Sequence, residues 1–421
     1  LRNWTEPTGE DWTFLGASTR EMTHCYHDYP ARMIPQIAAK LLYLFGQNAK
    51  TLFDPYCGTG TSLVEGTLRG IQCFGTDINP LARLIAGAKT TPCPLPETDA
   101  ELGQFQKQVL HWLTHPEPIA IPEVPGVPRM EYWFLPDVAQ SLARLREYIV
   151  AIENPQIQRF FQVAFSETVR EVSNTRNEEF KLYRYEANRL EQFRPNVYET
   201  MLKKLHRNRN GLECYLNALP SPPEVQIFDF DTVKGIPVTA LAPDCIDIVI
   251  TSPPYGDSHT TVAYGQYSRL SSAWLGFAEP EKVDRRLMGG QISKTKTELP
   301  SEELETAIAQ VAAVSPKRAQ EVFAFYADLF ASIQHITRLL RPGGYICYVV
   351  GNRKVKGVVL PTDIAIKDFF MACGLEYVDT FLRAIPNKRM PLKNSPSNIT
   401  GDSDATMTQE YIVVLRRPDA A

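Results

Sequence analysis

Three things are scarce in this 421-residue sequence: paired cysteines, long apolar runs and an excess of charge of either sign. The eight cysteines stand at 25, 57, 73, 93, 214, 245, 347 and 373, nowhere as CxxC. That spacing argues for reduced intracellular thiols over a disulfide framework or a zinc site. No stretch approaches the ~20 apolar residues of a membrane span. Leu1 to Thr5 carry no basic-plus-apolar targeting pattern, so a soluble cytoplasmic protein is expected. Lys and Arg number 44 against 48 Asp and Glu, a formal net charge of −4. A polyanionic partner would therefore have to meet a local basic face. His111 and His115 are four apart, but no Glu follows His111 and no third ligand is apparent, so no metal is expected.

What is present is an alternation of strands and helices, the pattern of an α/β fold. Thr51-Leu52-Phe53 reads as a strand leading into a glycine-rich turn, with a helix from Ser62 to Leu68. Gln72 to Asp77 is a second strand, and Pro80 opens a helix to about Lys89. Val225–Phe230 and Ile246–Ile250 are further strands. Phe323 to Leu340 reads as an amphipathic helix stopped by Arg341-Pro342-Gly343-Gly344. Tyr345–Val350 has the continuous apolar character of a central strand. Pro361–Cys373 reads as a helix, and Tyr377–Ala384 and Tyr411–Leu415 as closing strands. Two stretches break the rhythm: 92 to about 221, proline-rich and then mostly helical, and about 278 to 318, with Arg285-Arg286-Leu287-Met288-Gly289-Gly290, Lys294 and Lys296.

Two motifs carry chemistry. Asp54-Pro55-Tyr56-Cys57-Gly58-Thr59-Gly60-Thr61 joins a strand to a helix, where glycines admit a ligand to the backbone and the helix offers free N–H groups. Seventeen residues after Gly60, Asp77 stands where an acid can accept hydrogen bonds from a ribose. A nicotinamide fingerprint would need Gly or Ala at Leu63, and a P-loop would need a Gly-Lys-Ser/Thr ending. The second motif runs from a strand into a stiff turn: Asp247-Ile248-Val249-Ile250-Thr251-Ser252-Pro253-Pro254-Tyr255. Two prolines remove two donors and leave carbonyls to accept. An amine attacking a methyl sulfonium needs such acceptors to turn its lone pair toward the methyl. Tyr255 supplies a face on which a flipped-out base can stack.

On these two motifs the sequence resembles the S-adenosylmethionine-dependent amino-methyltransferases of DNA, which make N4-methylcytosine or N6-methyladenine. Their cofactor motif, Asp-Pro-Phe-x-Gly-x-Gly-Thr, matches Asp54 to Thr61 with Tyr56 for Phe. Their catalytic motif, Ser/Asn/Asp-Pro-Pro-Tyr/Phe, matches Ser252 to Tyr255. A preceding Tyr-Pro-Ala-Lys/Arg stretch matches Tyr29-Pro30-Ala31-Arg32. The resemblance implies a Rossmann-like methyltransferase sheet: residues 1–91 its cofactor-binding half, 92–221 a mainly helical insertion and candidate for target recognition, 222–421 its catalytic half.

Residue by residue, it implies that Asp54 and the Gly58 and Gly60 backbone hold the methionine part of S-adenosylmethionine. Asp77 would bind the ribose, Ile78 would pack on adenine, and Asp229 or Asp231 would meet the adenine amino group. Ser252 and the Pro253 carbonyl, stiffened by Pro254, would orient the target amine, with Tyr255 stacked on the base. Transfer would be direct, without a covalent enzyme intermediate. The Ser form leans toward N4 of cytosine in double-stranded DNA. N6 of adenine, guanine N2 in RNA and a non-catalytic DNA-binding protein are the alternatives. A cognate restriction endonuclease would be the natural partner in a restriction–modification system, and the protein would sit on the nucleoid when bound to DNA.

About 190 residues separate Gly60 from Ser252, and the insertion falls before the third strand instead of after it. Within it, residues 170–210 hold ten Lys/Arg against six Glu. Arg176, Lys181, Arg184 and Arg189 are interleaved there with Phe180, Tyr183 and Tyr185, a pattern that suits phosphate contact and stacking or, equally, a solvated face over a core. Lys388, Arg389 and Lys393 form a second basic candidate. Arg269, with Tyr264 and Tyr267, falls in a run from Thr260 expected to loop over the base, after His259. Pro92-Cys93 follows the second helix, not the catalytic strand, which argues against a carbon-5 cysteine nucleophile.

Overall fold

The computed structural model describes residues 11–127, 129–177, 180–256, 262–291, 298–385, 393–394, 404–405 and 407–420. One sheet holds β1 (Thr51–Asp54), β2 (Gln72–Thr76), β3 (Val225–Phe228), β4 (Ile246–Thr251), β5 (Leu340–Val350), β6 (Glu376–Ala384) and β7 (Gln409–Arg416), in the order β3-β2-β1-β4-β5-β7-β6. The first five strands in that order run parallel, while β7 is antiparallel to both its neighbours.

The central strands are short apolar runs because they are covered on both faces, and their period of two divides them between two cores. Leu52, Ile248, Ile250, Cys347, Val349, Ile412 and Val414 point to one face. That face is covered by α1 (Pro35–Phe45), α2 (Thr61–Thr67) and the inner side of α3 (Pro80–Thr90). Phe53, Val249, Ile346, Tyr348, Val413 and Leu415 point to the other face, under three later helices described below. At its lower end the β1–β4 pairing is pinned by the Asp247 carboxylate, which accepts from the Lys50 and Thr51 N–H groups at 2.7 and 2.9 Å.

Between α3 and β3 come α4 (Leu95–Thr114), α5 (Met130–Trp133), α6 (Pro136–Val150), α7 (Pro155–Val172), α8 (Ala187–Gln192) and α9 (Val197–Ala218). Asparagines before α3, α7 and α9 cap them: Asn79, Asn154 and Asn196 accept from free N–H groups of the first turn, and the first two precede a proline at the first helical position. Residues 173–177 and 180–186, expected to be mostly helical, are irregular, with an isolated bridge between Thr175 and Arg184. Local side-chain hydrogen bonds, such as Ser173 to the Arg170 carbonyl at 2.7 Å, take the backbone out of the helix there.

After β4 follow α10 (Tyr264–Trp274), α11 (Val283–Arg286), α12 (Glu302–Val314), α13 (Pro316–Thr337) and α14 (Thr362–Ala372), of which α12, α13 and α14 cover the second face. The helix expected to run to Leu340 ends at Thr337, and Leu340–Gly344 already belong to β5. The Pro342-Gly343-Gly344 stretch lies inside that strand, where the β4–β5 register shifts between Ile246 and Ile248. No helix among the described residues is long and apolar enough to cross a membrane.

Helices α4, α6, α7 and α9 do not form a core of their own. Their apolar faces join Leu81 and Ile85 of α3 and Leu270 and Trp274 of α10 in one buried cluster. Trp274 is fully buried, its ring 5.8 Å from Phe134 and 6.4 Å from Phe165. Trp274→Ala should cost about 3–5 kcal/mol by cavity formation, with Trp274→Phe losing much less. Urea unfolding of the two variants checks this; equal midpoints would mean the site collapses freely around the missing ring.

Candidate active site

β1 and β4 are neighbours, and the chain leaves them toward opposite edges of the sheet. A crevice opens at such a reversal, above the carboxyl ends of the strands. Both sequence motifs lie there. The cleft spans about 670 Å³ of space, part of it open to solvent, and is lined by Tyr29 to Met33, Asp54, Tyr56 to Thr59, Thr61, Asp77, Asn79, Ser252, Pro254, Tyr264 and Leu287.

Asp54 ties the two motifs together. Its carboxyl accepts from Ser62 Oγ at the start of α2, from Thr251 Oγ1 at 2.5 Å and from the Tyr56 N–H at 3.1 Å. Thr251 is the residue before the Ser-Pro-Pro-Tyr turn, so one buried acid holds both strand ends. Asp77 organises the next loop: Oδ2 accepts from the Gly58 N–H at 3.0 Å and Oδ1 from the Asn79 N–H at 2.8 Å. Burial pushes the Asp77 carboxyl up, against the pull of those two hydrogen bonds. Asn79 also donates to the Tyr29 hydroxyl at 2.9 Å, and Tyr29 lies nearly parallel to Tyr264 at 5.9 Å.

The two glycines of the first motif differ in what they do. Gly58 has φ +49, and a Cβ there would meet nothing within 4 Å, so it keeps cleft volume open. Gly60, at φ +73, would bring a Cβ to 3.0 Å from the Ala86 Cβ. It lets α2 pack on α3 and is not part of the lining. Tyr56 stands where the resembling family has Phe because its hydroxyl finds Ser332 Oγ of α13 at 2.6 Å, while its ring faces the cleft.

Ser252 Oγ donates to the Val349 carbonyl at 3.0 Å and lies 3.3 Å from the Tyr255 hydroxyl. Tyr255 donates in turn to Glu410 Oε1 at 2.9 Å. Burial first, and then the Glu410 carboxylate, push the Tyr255 hydroxyl well above its usual range, so it stays a neutral donor.

The other expected residues fall elsewhere. Ile78 and Asp229 do not line the cleft, and Asp229 is exposed beyond β3. Asp231 accepts from the Val233 N–H at 3.1 Å and pairs with Lys234 at 3.1 Å. From Tyr264 on, the run expected to loop over the base is helix α10. Its first turn is held by the Asp284 carboxylate, which accepts from the Gly265 and Gln266 N–H groups. Tyr267 is buried and bonded to the Asp28 carbonyl, which removes it from any surface over the cleft.

Arg184 lies 4.5 Å over the Tyr132 ring and donates to the Tyr132 carbonyl at 2.9 Å. Arg269 donates to the Gly126 carbonyl at 3.2 Å, and Arg176 pairs with Glu186 at 3.1 Å. Arg189 and Lys181 remain on the outer side of this region, exposed and half-buried respectively. Lys388, Arg389 and His259 lie outside the described residues, as does the side chain of Lys393. Sequence reading missed Asn79 and Leu287 in the lining, and Glu410. Asn79-Pro80 bears a helix-capping signature that could have been used; nothing local marks Glu410.

The family model of an RMKL-like methyltransferase domain matches residues 20–87. The chain is 40% identical over 423 residues to the type II methyltransferase M.MvaI of Kocuria varians, covering 96% of this chain and 93% of that one. A second relative, the type II methyltransferase M.MjaII of Methanocaldococcus jannaschii, is 35% identical over 95 residues, 21% of this chain and 18% of its own. Among solved structures, the rRNA methyltransferase aviRa of Streptomyces viridochromogenes aligns over 93% of this chain and 88% of its own, at 13% identity and a TM-score of 0.33. The chain belongs to the type II methyltransferases, and S-adenosylmethionine is its cofactor.

The cleft fits that molecule. It presents two carboxyls toward a cationic ligand, the open space above Gly58 and three tyrosine rings. Thr59 Oγ1 is buried there without a hydrogen-bond partner among the described residues. Burial lifts the Asp54 carboxyl from 3.8 to about 6, in spite of its hydrogen bonds. A carboxyl whose folded value lies above its unfolded value binds its proton more tightly in the folded chain. The stability this confers is complete below 3.8 and is lost as pH rises toward about 6. Urea unfolding of the wild type and Asp54→Asn should therefore show the wild type's relative stability falling between about pH 4 and pH 7. A flat difference would mean that Asp54 is ionised throughout.

Proposed function

We propose that this methyltransferase acts on DNA, transferring the methyl group to an exocyclic base amine, with N4 of cytosine as the acceptor. The observation that carries the reading is the wiring of Ser252. Its hydroxyl has one hydrogen, and the two groups beside it, the Val349 carbonyl at 3.0 Å and the Tyr255 hydroxyl at 3.3 Å, whose own hydrogen goes to Glu410, both take it as acceptors. The Oγ lone pairs are left for a donor entering the cleft that Ser252 lines.

An amine held by Ser252 Oγ and the Pro253 carbonyl would give up both N–H bonds to acceptors and present its lone pair. The bound cofactor supplies an electrophilic methyl group on a sulfonium sulfur. Asp54 and Asp77, with the Gly58 backbone, hold the amino-acid and ribose ends on this reading, and Tyr29 to Ala31, Tyr56 and Thr61 complete the wall. Once methylated, the nitrogen carries a proton that Ser252 Oγ, a neutral hydroxyl, can accept only as a hydrogen bond, so the proton leaves to solvent. Tyr255 stacks on the base after it has turned out of the duplex, at a cost of a few kcal/mol in lost pairing and stacking.

In the family that the sequence resembles, the Ser form of the motif at position 252 goes with cytosine N4, while the acceptor geometry itself serves either amine. The type II relative supports DNA as substrate and a restriction–modification setting. Helices α4 to α9, with Lys181 and Arg189 on their outer side, are the proposed target-reading part.

The test is expression in a bacterial host free of methylation, followed by sequencing that distinguishes methylated bases. N4-methylcytosine in one short motif is the expected result. N6-methyladenine would overturn the base assignment, and no mark on DNA would overturn the substrate. Tyr255→Ala should reduce transfer at least ~100-fold, the scale of a misplaced reactant, and leave cofactor binding by calorimetry near wild type. Asp77→Ala should do the reverse, raising the cofactor dissociation constant about tenfold or more for the loss of a charge-assisted hydrogen bond. Wild-type turnover in Tyr255→Ala, or wild-type cofactor affinity in Asp77→Ala, would count against the assignment.

A further inference from the structure

β7 is the one strand of the sheet that runs backwards, and this has a geometric effect. Tyr411 at its start pairs with Val350 at the end of β5, so the beginning of β7 lies at the edge where the parallel strands end. Glu410 is thereby brought beside the catalytic turn although it lies 155 residues further along the chain than Tyr255.

Glu410 and Arg383 are direct cross-strand partners between β7 and β6. Glu410 Oε1 accepts from the Tyr255 hydroxyl at 2.9 Å, and Oε2 is paired with Arg383 Nη1. Only 8% of the Arg383 side chain and 15% of the Glu410 side chain are exposed. The second face of the guanidinium is also engaged, since Nε donates to the Trp12 carbonyl at 3.0 Å. Trp12 packs on Phe381 of the same strand at 5.0 Å. An ionised Glu can only accept and an Arg can only donate, so the order of donors is fixed: Arg383 to Glu410, and Tyr255 to Glu410.

We propose that the Glu410–Arg383 pair is a positioning device for Tyr255, holding the long axis of the ring so that its face meets the flipped base. A tyrosine anchored only at Cβ samples several rotamers. Anchored also at its hydroxyl, it keeps one direction. Gly351 leaves room beside the ring, since a Cβ there would stand 3.3 Å from Tyr255 Cδ2. Neither Glu410 nor Arg383 is among the residues that line the cleft, so the pair reaches the site through the tyrosine.

The inference rests on the stacking role given to Tyr255 above, and a mutant cycle separates the two. Methyl incorporation into unmethylated bacterial genomic DNA would be followed for Glu410→Ala, Glu410→Gln, Tyr255→Phe, the double variants and Tyr255→Ala. Cofactor affinity and the urea midpoint would be measured alongside. Glu410→Ala should lower kcat about tenfold to a hundredfold at unchanged cofactor affinity. Glu410→Gln, which keeps an accepting oxygen, should lose less. In the Tyr255→Phe background, which has no hydroxyl to hold, neither change at 410 should lower kcat further.

Equal losses with and without the Tyr255 hydroxyl would overturn the inference, as would a wild-type kcat in Glu410→Ala. Should Glu410→Ala fail to fold, the Glu410→Gln and Tyr255→Phe cycle decides by the same criterion. Wild-type transfer by Tyr255→Ala would instead overturn the stacking role itself.

Discussion

The Asp54 carboxyl, buried between the ends of β1 and β4, is the constraint on which the rest of the site depends. It receives hydrogen bonds from three directions: the helix that follows β1, the turn it begins, and the last residue of β4. A buried acid without such partners would cost several kcal/mol, so their geometry is closely specified. Because the partners belong to both motifs, the glycine-rich loop and the Ser-Pro-Pro-Tyr turn are tied together by one group. Asp247 performs the matching task at the other end of the same strand pair, through the Lys50 and Thr51 N–H groups. The central pair of strands is thus tied at both ends, and the cleft is the space above one tie.

Around that pair the packing divides into separate cores. The sheet carries the Ser252 turn on strands with two fully covered faces. Tyr264, on the far wall of the cleft, belongs to α10, whose core is shared with the helices of 95–218. The wall and the floor therefore belong to different cores, joined through α3. Leu287, from the segment between α11 and α12, completes the lining. Movement of the helical part would be felt at Tyr264 and Tyr29 before it was felt at Ser252.

Much of this was legible in the sequence, and the reasons are physical. Strands such as Ile246–Thr251 are buried on both faces and leave continuous apolar runs that periodicity finds. The two motifs could be placed at strand ends because their glycines and prolines have few other uses in that position. Boundaries were less visible where strand and turn chemistry conflict. Pro342-Gly343-Gly344 reads as a stop, yet β5 absorbs it at a shift of register against β4. The Thr260–Arg269 run reads as a polar loop because its aromatics are spaced for a helix whose partner, α7, is some hundred residues away. Arg184 and Arg269 read as basic surface, and nothing in their neighbours reveals that each is turned onto a distant backbone carbonyl. Glu410 was invisible for the same reason: its meaning comes from the reversal of β7, which is a property of topology.

The hydrogen bond from Thr251 to Asp54 closes a loop of 197 residues. During synthesis the first motif is complete long before its partner strand exists. Until β4 arrives, β1 lacks one of its two neighbours and Asp54 lacks one of its donors. Closing so long a loop is a slow, entropically opposed event compared with forming the local helices on either side of it. The cleft is complete only when the central strand pair has closed. The chain thus acquires its chemistry late in its own folding, and a nascent fragment ending before β4 has one wall of the cleft and no acceptor turn.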